Sequence, residues 1–236
     1  MNSVEQTQIL LKPGIDLTEI EPGIFSTVSN PRPQSFDRLA RAYDRLIRSK
    51  LYNGLVWGTS PASYRWFAEQ AHKGNPQFML DAGCGSMAVT ADAHSKGEGL
   101  VVGLDSSLPM LRLAKARLDQ LNARNVVLIL GSVENIPFRQ NAFESILFMG
   151  MAHLFPDDSP VMDELMRVLM SRGQIHLSSL VENRRKFGDR FLAKLKAKGE
   201  VNAIRSPKQV LNLLATMTSL VDSRTEGNML FASAVR

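Results

Sequence analysis

From about residue 78 onward, short apolar runs alternate with stretches of helical periodicity, and this alternation constrains the fold more than any other feature. The apolar runs have the length of buried strands. In chain order the predicted elements are a strand at 78–80, a helix at 88–96, a strand at 100–104, a helix at 108–121, strands at 126–130 and 145–149, a helix at 158–169 and a strand at 174–180. Such an alternation predicts an α/β fold, with helices on both faces of a parallel, doubly wound sheet.

The last part of the chain has clear start and turn signals. Ser107 can cap the helix that begins at 108. Ser206 and Gln209 have the spacing of a capping box, which predicts a further helix that runs to about 217. Two apolar stretches then flank a turn at Gly227 and Asn228. This pattern predicts a closing hairpin.

The beginning of the chain is different, because four prolines interrupt residues 1–34 and no periodicity is sustained there. We interpret this stretch as an extension or a loosely attached arm. Helical spacing of apolar residues starts at Phe36, and a second helix is predicted at 63–73. The predicted organisation is therefore an extension at 1–34 and one domain at 35–236, with helices at 35–75 that cover the site and a core at 76–236.

Composition favours a cytoplasmic location. The longest apolar runs are far too short to span a bilayer. The N-terminus lacks a basic start followed by an apolar stretch, so we predict no secretory signal. The lone cysteine, Cys84, cannot form an internal disulfide, which fits a reducing compartment.

The positive charge of the chain is concentrated in one segment. Residues 183–198 contain seven basic residues and one acidic residue, in a chain whose formal net charge is +5. Phe187, Phe191, Leu192 and Leu195 recur among them at helical spacing. The segment is either a solvated helix face or a patch that attracts an anionic substrate, a membrane surface or nucleic acid.

The stretch FMLDAGCGSMAVT, at 78–90, carries the strongest functional signal. A buried strand ends at Asp81, and glycines 83 and 85 let the backbone pass close to a ligand. The free amides of the following helix then face that ligand. Asp105 ends the next strand twenty residues after Gly85, where a carboxylate can accept hydrogen bonds from both ribose hydroxyls. The combination predicts a nucleoside-containing cofactor, the alternative being an ordinary turn with no ligand.

The identity of the nucleoside rests on two further features. Gly83, Gly85 and Ala88 also satisfy the dinucleotide fingerprint, so an NAD-type oxidoreductase has to be weighed. However, Asp81 would repel a pyrophosphate and attract a cofactor that carries an ammonium and a sulfonium group. In addition, the residues after the turn complete one sheet and leave no separate catalytic domain for a dehydrogenase.

Four blocks resemble the class I S-adenosylmethionine-dependent methyltransferases, in the family's order over roughly 72–236. They are LDAGCGS, GLDSSLPMLRLAKARL, GSVENIPFRQNAFESILFMGMAHLF and ELMRVLMSRGQIHLSSL. The subgroup that the chain resembles most methylates quinones, lipids and other small molecules. The resemblance implies a Rossmann-like, seven-stranded sheet, mostly parallel with its last strand antiparallel. It also implies S-adenosylmethionine as the cofactor and S-adenosylhomocysteine as the product.

The same resemblance implies cofactor contacts. Asp81, Gly83 and Gly85 would hold the methionine half, and Asp105 would bind the ribose. Tyr43, on an N-terminal helix, would cover the cofactor, with a tyrosine packed in the core as the alternative. The remaining contacts are Ser106 beside the adenine, Ser132 and Val133 at the adenine edge, Met149 and Gly150 bordering the methyl group, and Cys84 within the turn as a small packing residue.

Three departures from the family pattern leave a non-catalytic, regulatory protein that binds S-adenosylmethionine as another alternative. Met87 stands where the family often has a third glycine. Ser132 replaces a common aspartate, which removes a charged partner for the adenine amino group. The sequence MSRGQ replaces the usual proline-glycine turn before the strand at 174–180, and we interpret this change as structural.

Methyl transfer requires mainly that an acceptor atom be aligned with the C–S bond of the cofactor, since the sulfonium already makes the methyl group electrophilic. A general base is needed only for an acceptor that stays protonated at neutral pH. His153 is the candidate base, a structural or substrate-orienting role being the alternative. No metal site is predicted.

A small-molecule or lipid-like acceptor is predicted. The basic helix within 181–205 would help to form its pocket or rest on a membrane surface. Nucleic acid is not expected as a partner, because no aromatic-rich strand or RNA-binding module accompanies the basic residues.

Overall fold

The computed structural model describes residues 1–27, 40–156 and 158–236. Within them, one sheet of nine strands forms the centre of the molecule, in the order β1-β2-β5-β4-β3-β6-β7-β9-β8. The strands are β1 Thr18–Glu21, β2 Ile24–Ser26, β3 Phe78–Ala82, β4 Leu100–Asp105, β5 Val126–Leu130, β6 Phe143–Phe148, β7 Leu169–Leu180, β8 Ser219–Glu226 and β9 Met229–Val235.

Helices pack on both faces of this sheet, so their apolar sides are buried against it. They are α1 Ser3–Leu10, α2 Ala40–Arg48, α3 Lys50–Tyr52, α4 Pro61–Gln70, α5 Ala91–Lys96, α6 Leu108–Gln120, α7 Val161–Val168, α8 Lys186–Ala197 and α9 Pro207–Ala215. A π-helical turn, Asn53–Trp57, continues α3, and a short 3-10 helix, Ala152–Leu154, follows β6. In the described part of the chain, no helix combines the length and apolar character needed to cross a bilayer.

The predicted α/β fold class is confirmed. Strands β5, β4, β3, β6 and β7 are parallel, whereas β9 is antiparallel and lies between β7 and β8. The strand order reverses at β3, since β4 lies on one side of it and β6 on the other. Ligands of such sheets bind beyond the carboxyl ends of the strands at this switch point. The turns after β3, β4 and β6 therefore frame the candidate site.

The predicted count of seven strands is wrong, because the first 27 residues add two. β2 pairs in parallel with β5, with Ile24 opposite Leu128, and β1 pairs with β2. The side chains of Leu10 and Ile24 are only 1% and 2% exposed. A loosely attached arm is therefore wrong for this stretch, whose strands are too short for periodicity to reveal. The predicted domain boundary at residue 34 lies outside the described residues and stays a prediction.

Several element boundaries differ from prediction by a few residues, and two of them have a clear structural cause. The helix predicted from residue 88 begins at Ala91, because the turn before it continues through Met87, whose φ is +50°. Strand β7 begins at Leu169, so the sequence MSRGQ lies inside a strand and forms no loop. The strand accommodates it by an irregularity in its pairing with β6, at which Arg172 takes a φ of +65°. The predicted helix from Phe36 to Ile47 is described only from Ala40 onward.

Candidate active site

The glycine turn after β3 is fastened to the neighbouring strand and is open above. The amides of Gly83 and Cys84 donate to the carbonyl oxygen of Leu104, at 2.7 and 3.1 Å. Gly83 and Gly85 both have a positive φ, of +72° and +52°, which side chains disfavour. A Cβ on Gly85 would meet no atom within 4 Å, whereas one on Gly83 would lie 2.5 Å from the side chain of Met151. The backbone at Gly85 thus borders open space.

Asp105 joins the glycine turn to the ends of the next two strands. Its carboxylate accepts one hydrogen bond from the Gly85 amide and one from the Ser107 amide, both at 2.8 Å. Its carbonyl oxygen accepts from the Gly131 amide, at 3.0 Å, at the end of β5. These bonds fix the carboxylate beside the glycine turn, at the carboxyl ends of β3, β4 and β5. The Asp105 carboxylate is therefore held where a ribose could reach it.

The residues predicted to contact adenine lie at the same edge of the sheet. Ser106 and Ser132 are exposed, directly after Asp105 and Gly131, whereas Val133 is buried. The Ser132 hydroxyl accepts a hydrogen bond from the Glu134 amide at 3.1 Å. The Ser132 side chain makes this local bond and stays exposed to solvent. The position of Ser132 beside Asp105 agrees with the predicted site, while its contact with adenine stays a prediction.

Asp81 is buried beneath the turn and bonded to protein groups. One oxygen of its carboxylate accepts from the Thr90 hydroxyl, at 3.3 Å, and lies 2.8 Å from Nε2 of His94. Nδ1 of His94 lies 2.8 Å from Nε2 of His72. Burial lowers the pKa of His72 to about 4, so that ring is neutral at neutral pH. Because a carboxylate only accepts hydrogen bonds, Nε2 of His94 donates to Asp81.

This histidine relay was not predicted, because the residues lie on separate elements and follow no short motif. It fixes the orientation of the Asp81 carboxylate, whose side chain is only 3% exposed. The predicted contact between Asp81 and the methionine half of the cofactor stays a prediction. The observed role of Asp81 is to hold the glycine turn against α5.

The backbone of Met87 has the conformation typical of the glycine that it replaces. Its φ of +50° lies in the left-handed region, which is costly for a residue with a side chain. Its side chain is 2% exposed and fills the space above Gly103 of β4, where an added Cβ would lie 2.4 Å from the methionine Cε. Met87 therefore preserves the shape of the turn, and its buried side chain anchors the turn against β4.

Cys84 packs in the same layer, as predicted for a small residue in the turn. An added Cβ on Gly103 would lie 3.1 Å from its sulfur. Burial, reinforced by the nearby carboxylates of Asp105 and Asp81, raises the pKa of the thiol well above its usual value. The thiol is therefore protonated at neutral pH and is a poor nucleophile.

Tyr43 of α2 lies near Asp105. Its side chain is 45% exposed. Nevertheless, the surrounding protein raises the pKa of its hydroxyl to about 12, with further contributions from Tyr52 and from the Asp105 carboxylate. A side chain that is partly exposed and yet surrounded by many protein groups lies on a concave surface. This environment agrees with a covering role and does not agree with the alternative of a tyrosine packed in the core.

Asp44, the residue after Tyr43, fastens α2 to the glycine turn and was missed in the sequence. It is 5% exposed. One carboxylate oxygen accepts from the Ser86 hydroxyl at 2.5 Å, and the other accepts from Arg117 of α6 at 2.7 Å. Arg117 also donates to the Ser86 carbonyl, at 2.5 Å. In the sequence, Asp44 is simply an acidic residue on a predicted helix. Its burial becomes visible only in the structure.

The end of β6 forms the other wall of the site. The Gly150 amide donates to the carbonyl and the hydroxyl of Ser178, at 3.0 and 2.9 Å, and a Cβ on Gly150 would meet no atom within 4 Å. Met149 is partly buried and packs against the core on the α4 and α8 side of the sheet. The structure thus places Gly150 on an open surface, as the predicted position beside the methyl group requires.

His153 is buried a few residues further on. Its Nδ1 accepts a hydrogen bond from the Leu180 amide at 3.2 Å, and its carbonyl accepts from Asn202 and Ala203. Burial, followed by the charge of Arg205, lowers the pKa of His153 to about 3. A catalytic base works best when its pKa lies near the working pH. These contacts favour an orienting or structural role for His153 over that of a base.

Comparisons with known proteins agree with this geometry. The family model of the methyltransferase domain matches residues 80–177. A demethylmenaquinone methyltransferase of Lactiplantibacillus plantarum is 32% identical over 140 residues, which cover 57% of this chain and 56% of that protein. Its counterpart in Thermotoga maritima is 31% identical over 147 residues, covering 62% and 60%. The matched part is thus less than two thirds of the length of either relative.

Solved structures share the fold at low sequence identity. A geranyl diphosphate methyltransferase in complex with SAM has a TM-score of 0.61 at 15% identity, covering 88% of this chain and 93% of that one. The [4+2]-cyclase SpnF has a TM-score of 0.65 at 14% identity, covering 87% and 97%. Since the fold also occurs in a protein named for cyclisation, it does not by itself define the reaction.

The chain forms a Rossmann-like α/β domain in which the glycine turn, Asp105 and Gly150 lie at the carboxyl edge of the sheet. The family match and the relatives show that the matched part of the chain is similar to methyltransferase domains, in agreement with the resemblance to the class I S-adenosylmethionine-dependent methyltransferases. Its matches lie among members of the quinone and small-molecule type.

Proposed function

We propose that this protein transfers the methyl group of S-adenosylmethionine to a small, lipid-like acceptor. The observation that carries the proposal is the position of the Asp105 carboxylate, 2.8 Å from the amide of Gly85 and beside open space at that glycine. The two relatives described above are both methyltransferases, and neither favours an NAD-type oxidoreductase or a regulatory subunit. The cofactor is supported by a structural neighbour whose description names SAM.

The residues of the site fit this cofactor. Asp105 presents a carboxylate, which is the kind of acceptor that ribose hydroxyls need, Gly85 borders a space free of side chains, and the ring of Tyr43 is partly exposed. Asp81 would supply negative charge near the methionine ammonium group. When bound, the cofactor supplies an electrophilic methyl group on a sulfonium. The protein then has to align the acceptor, an arrangement that can provide much of the rate.

Little proton transfer is asked of the protein in this proposal. His153 is neutral at neutral pH because its pKa is about 3, and its Nδ1 is occupied by the Leu180 amide. It therefore positions the loop after β6. An acceptor whose reacting atom ionises by itself, such as an acidic hydroxyl or an activated carbon, requires no side-chain base of ordinary pKa.

The acceptor class follows from the relatives and from the helices near the site. The relatives are named for demethylmenaquinone, an apolar quinone. Trp57 of the π-helical turn packs edge-on against Phe191 of α8, with ring centroids 5.4 Å apart. These apolar helices would form the acceptor pocket. We propose a cytoplasmic location, and contact with a membrane surface would bring such an acceptor to the site.

The test is a calorimetric and thermal-shift titration of the full chain with S-adenosylhomocysteine, S-adenosylmethionine and NAD. At a hundredfold excess over its dissociation constant, the true ligand should stabilise the fold by about 2.7 kcal/mol. Asp105→Ala should weaken S-adenosylhomocysteine binding by roughly 1.5–3 kcal/mol for each charge-assisted bond lost. The matched control is Asp119→Ala, an exposed aspartate that pairs with Lys115. Stabilisation by NAD alone would overturn the proposal.

A further inference from the structure

Two segments beside the site form a continuous surface, which we call the cap: residues 40–57 and residues 184–200. The first contains α2, α3 and the π-helical turn, and the second contains α8. They touch through the rings of Trp57 and Phe191. A Cβ on Gly188 would also lie 3.0 Å from the Val56 carbonyl oxygen. The cap is therefore one packed unit, and Tyr43 belongs to it.

The cap concentrates exposed apolar side chains. Of the ten large apolar side chains that the described residues leave exposed, five lie on the cap. Three of them are exposed by more than half: Leu51 at 72%, Leu55 at 64% and Phe187 at 61%. Helix α8 is amphipathic, since Leu192 is fully buried while Phe187 and the basic residues point to solvent.

The cap also holds more than the net positive charge of the chain. It contains eleven basic and three acidic residues, a net charge of +8, whereas the remainder contains 17 basic and 20 acidic residues, a net charge of −3. Two of the three acidic residues are bonded to groups outside the cap. Asp44 bonds to Ser86 and Arg117, and Asp189 accepts from Asn228. In the parts of the chain that are described, the only ion pairs within the cap join Arg48 to Asp44 and Lys198 to Glu200.

We infer that the cap docks the domain on an anionic lipid bilayer, from which the acceptor enters the cleft. Basic residues around exposed leucine and phenylalanine side chains are the pattern of helices that lie in a membrane interface. The cations meet the anionic head groups while the apolar side chains enter the acyl boundary. A nucleic acid would use the cations but would gain little from aliphatic Leu51 and Leu55. The inference rests on the proposed function for its acceptor, but the docking surface is testable alone.

The experiment is sedimentation of the full chain with two kinds of vesicle, phosphatidylcholine alone and phosphatidylcholine with phosphatidylglycerol. The protein should bind the anionic vesicles, and added salt should weaken binding. Lys186→Gln with Arg190→Gln should weaken it about fivefold for each charge removed. Phe187→Ser should weaken it by about tenfold or more, since an exposed phenylalanine is lost.

The controls are matched in exposure but lie at the opposite end of the sheet. Val221→Ser removes an apolar side chain that is 64% exposed on β8, and Lys73→Gln with Arg139→Gln removes two exposed cations. Both should leave vesicle binding unchanged, and thermal unfolding checks that all variants are folded. Absence of binding by the unaltered chain, or equal losses in cap and control variants, would overturn the inference. Binding of single-stranded RNA would also overturn the inference, if it depends on the basic residues of the cap, displaces the protein from the vesicles and is unaffected by Phe187→Ser.

The same preparations separate this inference from the proposed function. Binding of S-adenosylhomocysteine without binding to anionic vesicles would overturn the docking surface alone. Vesicle binding that depends on Phe187, without S-adenosylhomocysteine binding, would support the docking surface and contradict the methyltransferase.

Discussion

Met87 and Gly103 meet beneath the glycine turn, and each explains the other. The methionine takes a left-handed conformation that usually calls for glycine, and its side chain fills the space that the missing Cβ of Gly103 leaves. Because Met87 stands where the family often has a third glycine, the sequence alone is compatible with an altered turn. The neighbouring strand shows how the turn is kept, a solution that a motif within one loop cannot reveal.

This pairing predicts a compensating double substitution. Gly103→Ala alone should destabilise the protein by about 1–3 kcal/mol, since the new Cβ would lie 2.4 Å from Cε of Met87. Met87→Ala alone should cost about 2–5 kcal/mol through the cavity it leaves. The double variant should cost less than the sum by at least about 0.5 kcal/mol, because the alanine methyl enters the vacated space. Urea unfolding measures all three, and strict additivity would contradict the proposed packing.

At the scale of single elements, α2 depends on one buried carboxylate. Asp44 links the helix to the turn and to α6, and Tyr43 adjoins it. Asp44→Ala should destabilise the protein by about 3 kcal/mol, because Arg117 loses its partner. It should also weaken S-adenosylhomocysteine binding by releasing the Tyr43 helix. Asp119→Ala breaks an exposed pair with Lys115 and should cost at most about 1 kcal/mol. Equal effects of the two substitutions on stability and affinity would refute the anchoring role.

The N-terminal strands are an equally specific element. Ile24→Ala should cost about 2–5 kcal/mol, since the side chain is 2% exposed against the core beside β5. Ile9→Ala, at 55% exposure on α1, should change stability by at most about 0.5 kcal/mol. Chemical unfolding distinguishes the two. If Ile24→Ala destabilised the protein as little as Ile9→Ala does, the interpretation of this stretch as a loosely attached arm would be correct.

Most elements of the core could be predicted from the sequence because they are long and strongly patterned, as β4, α6 and the capped helix α9 illustrate. The glycine turn and Asp105 were found because their spacing is local. The strand Ile24–Ser26 was missed since three residues give no period. The relay of His72, His94 and Asp81 was missed because it depends on contacts between elements. Local spacing thus carries signals that one sequence reveals, whereas contacts between distant elements leave no such pattern.

For the whole molecule, buried histidines set the response to acid. Burial lowers the pKa of His153 to about 3 and that of His176 to about 4, whereas an unfolded histidine has its ordinary value of 6.5. Well above pH 6.5 these histidines are neutral in both states, so they add no pH dependence there. Below it the unfolded chain takes up protons first, and the stability of the fold falls as the pH decreases. For His176 this loss continues until the pH reaches about 4.

Each of these histidines should therefore lower the free energy of unfolding by roughly 2 kcal/mol between pH 6.5 and pH 5. His176 is the better test, since it lies within β7 with one nitrogen bonded to Ser233 and the other without a partner. His176→Phe removes one titrating group, so its unfolding free energy should fall less steeply over this range, whatever its value at pH 7. Denaturant unfolding at several pH values gives both slopes. Identical slopes for the variant and the unaltered chain would mean that His176 takes up its proton in the folded state, and that the interior at β7 is more polar than its packing against Phe67 indicates.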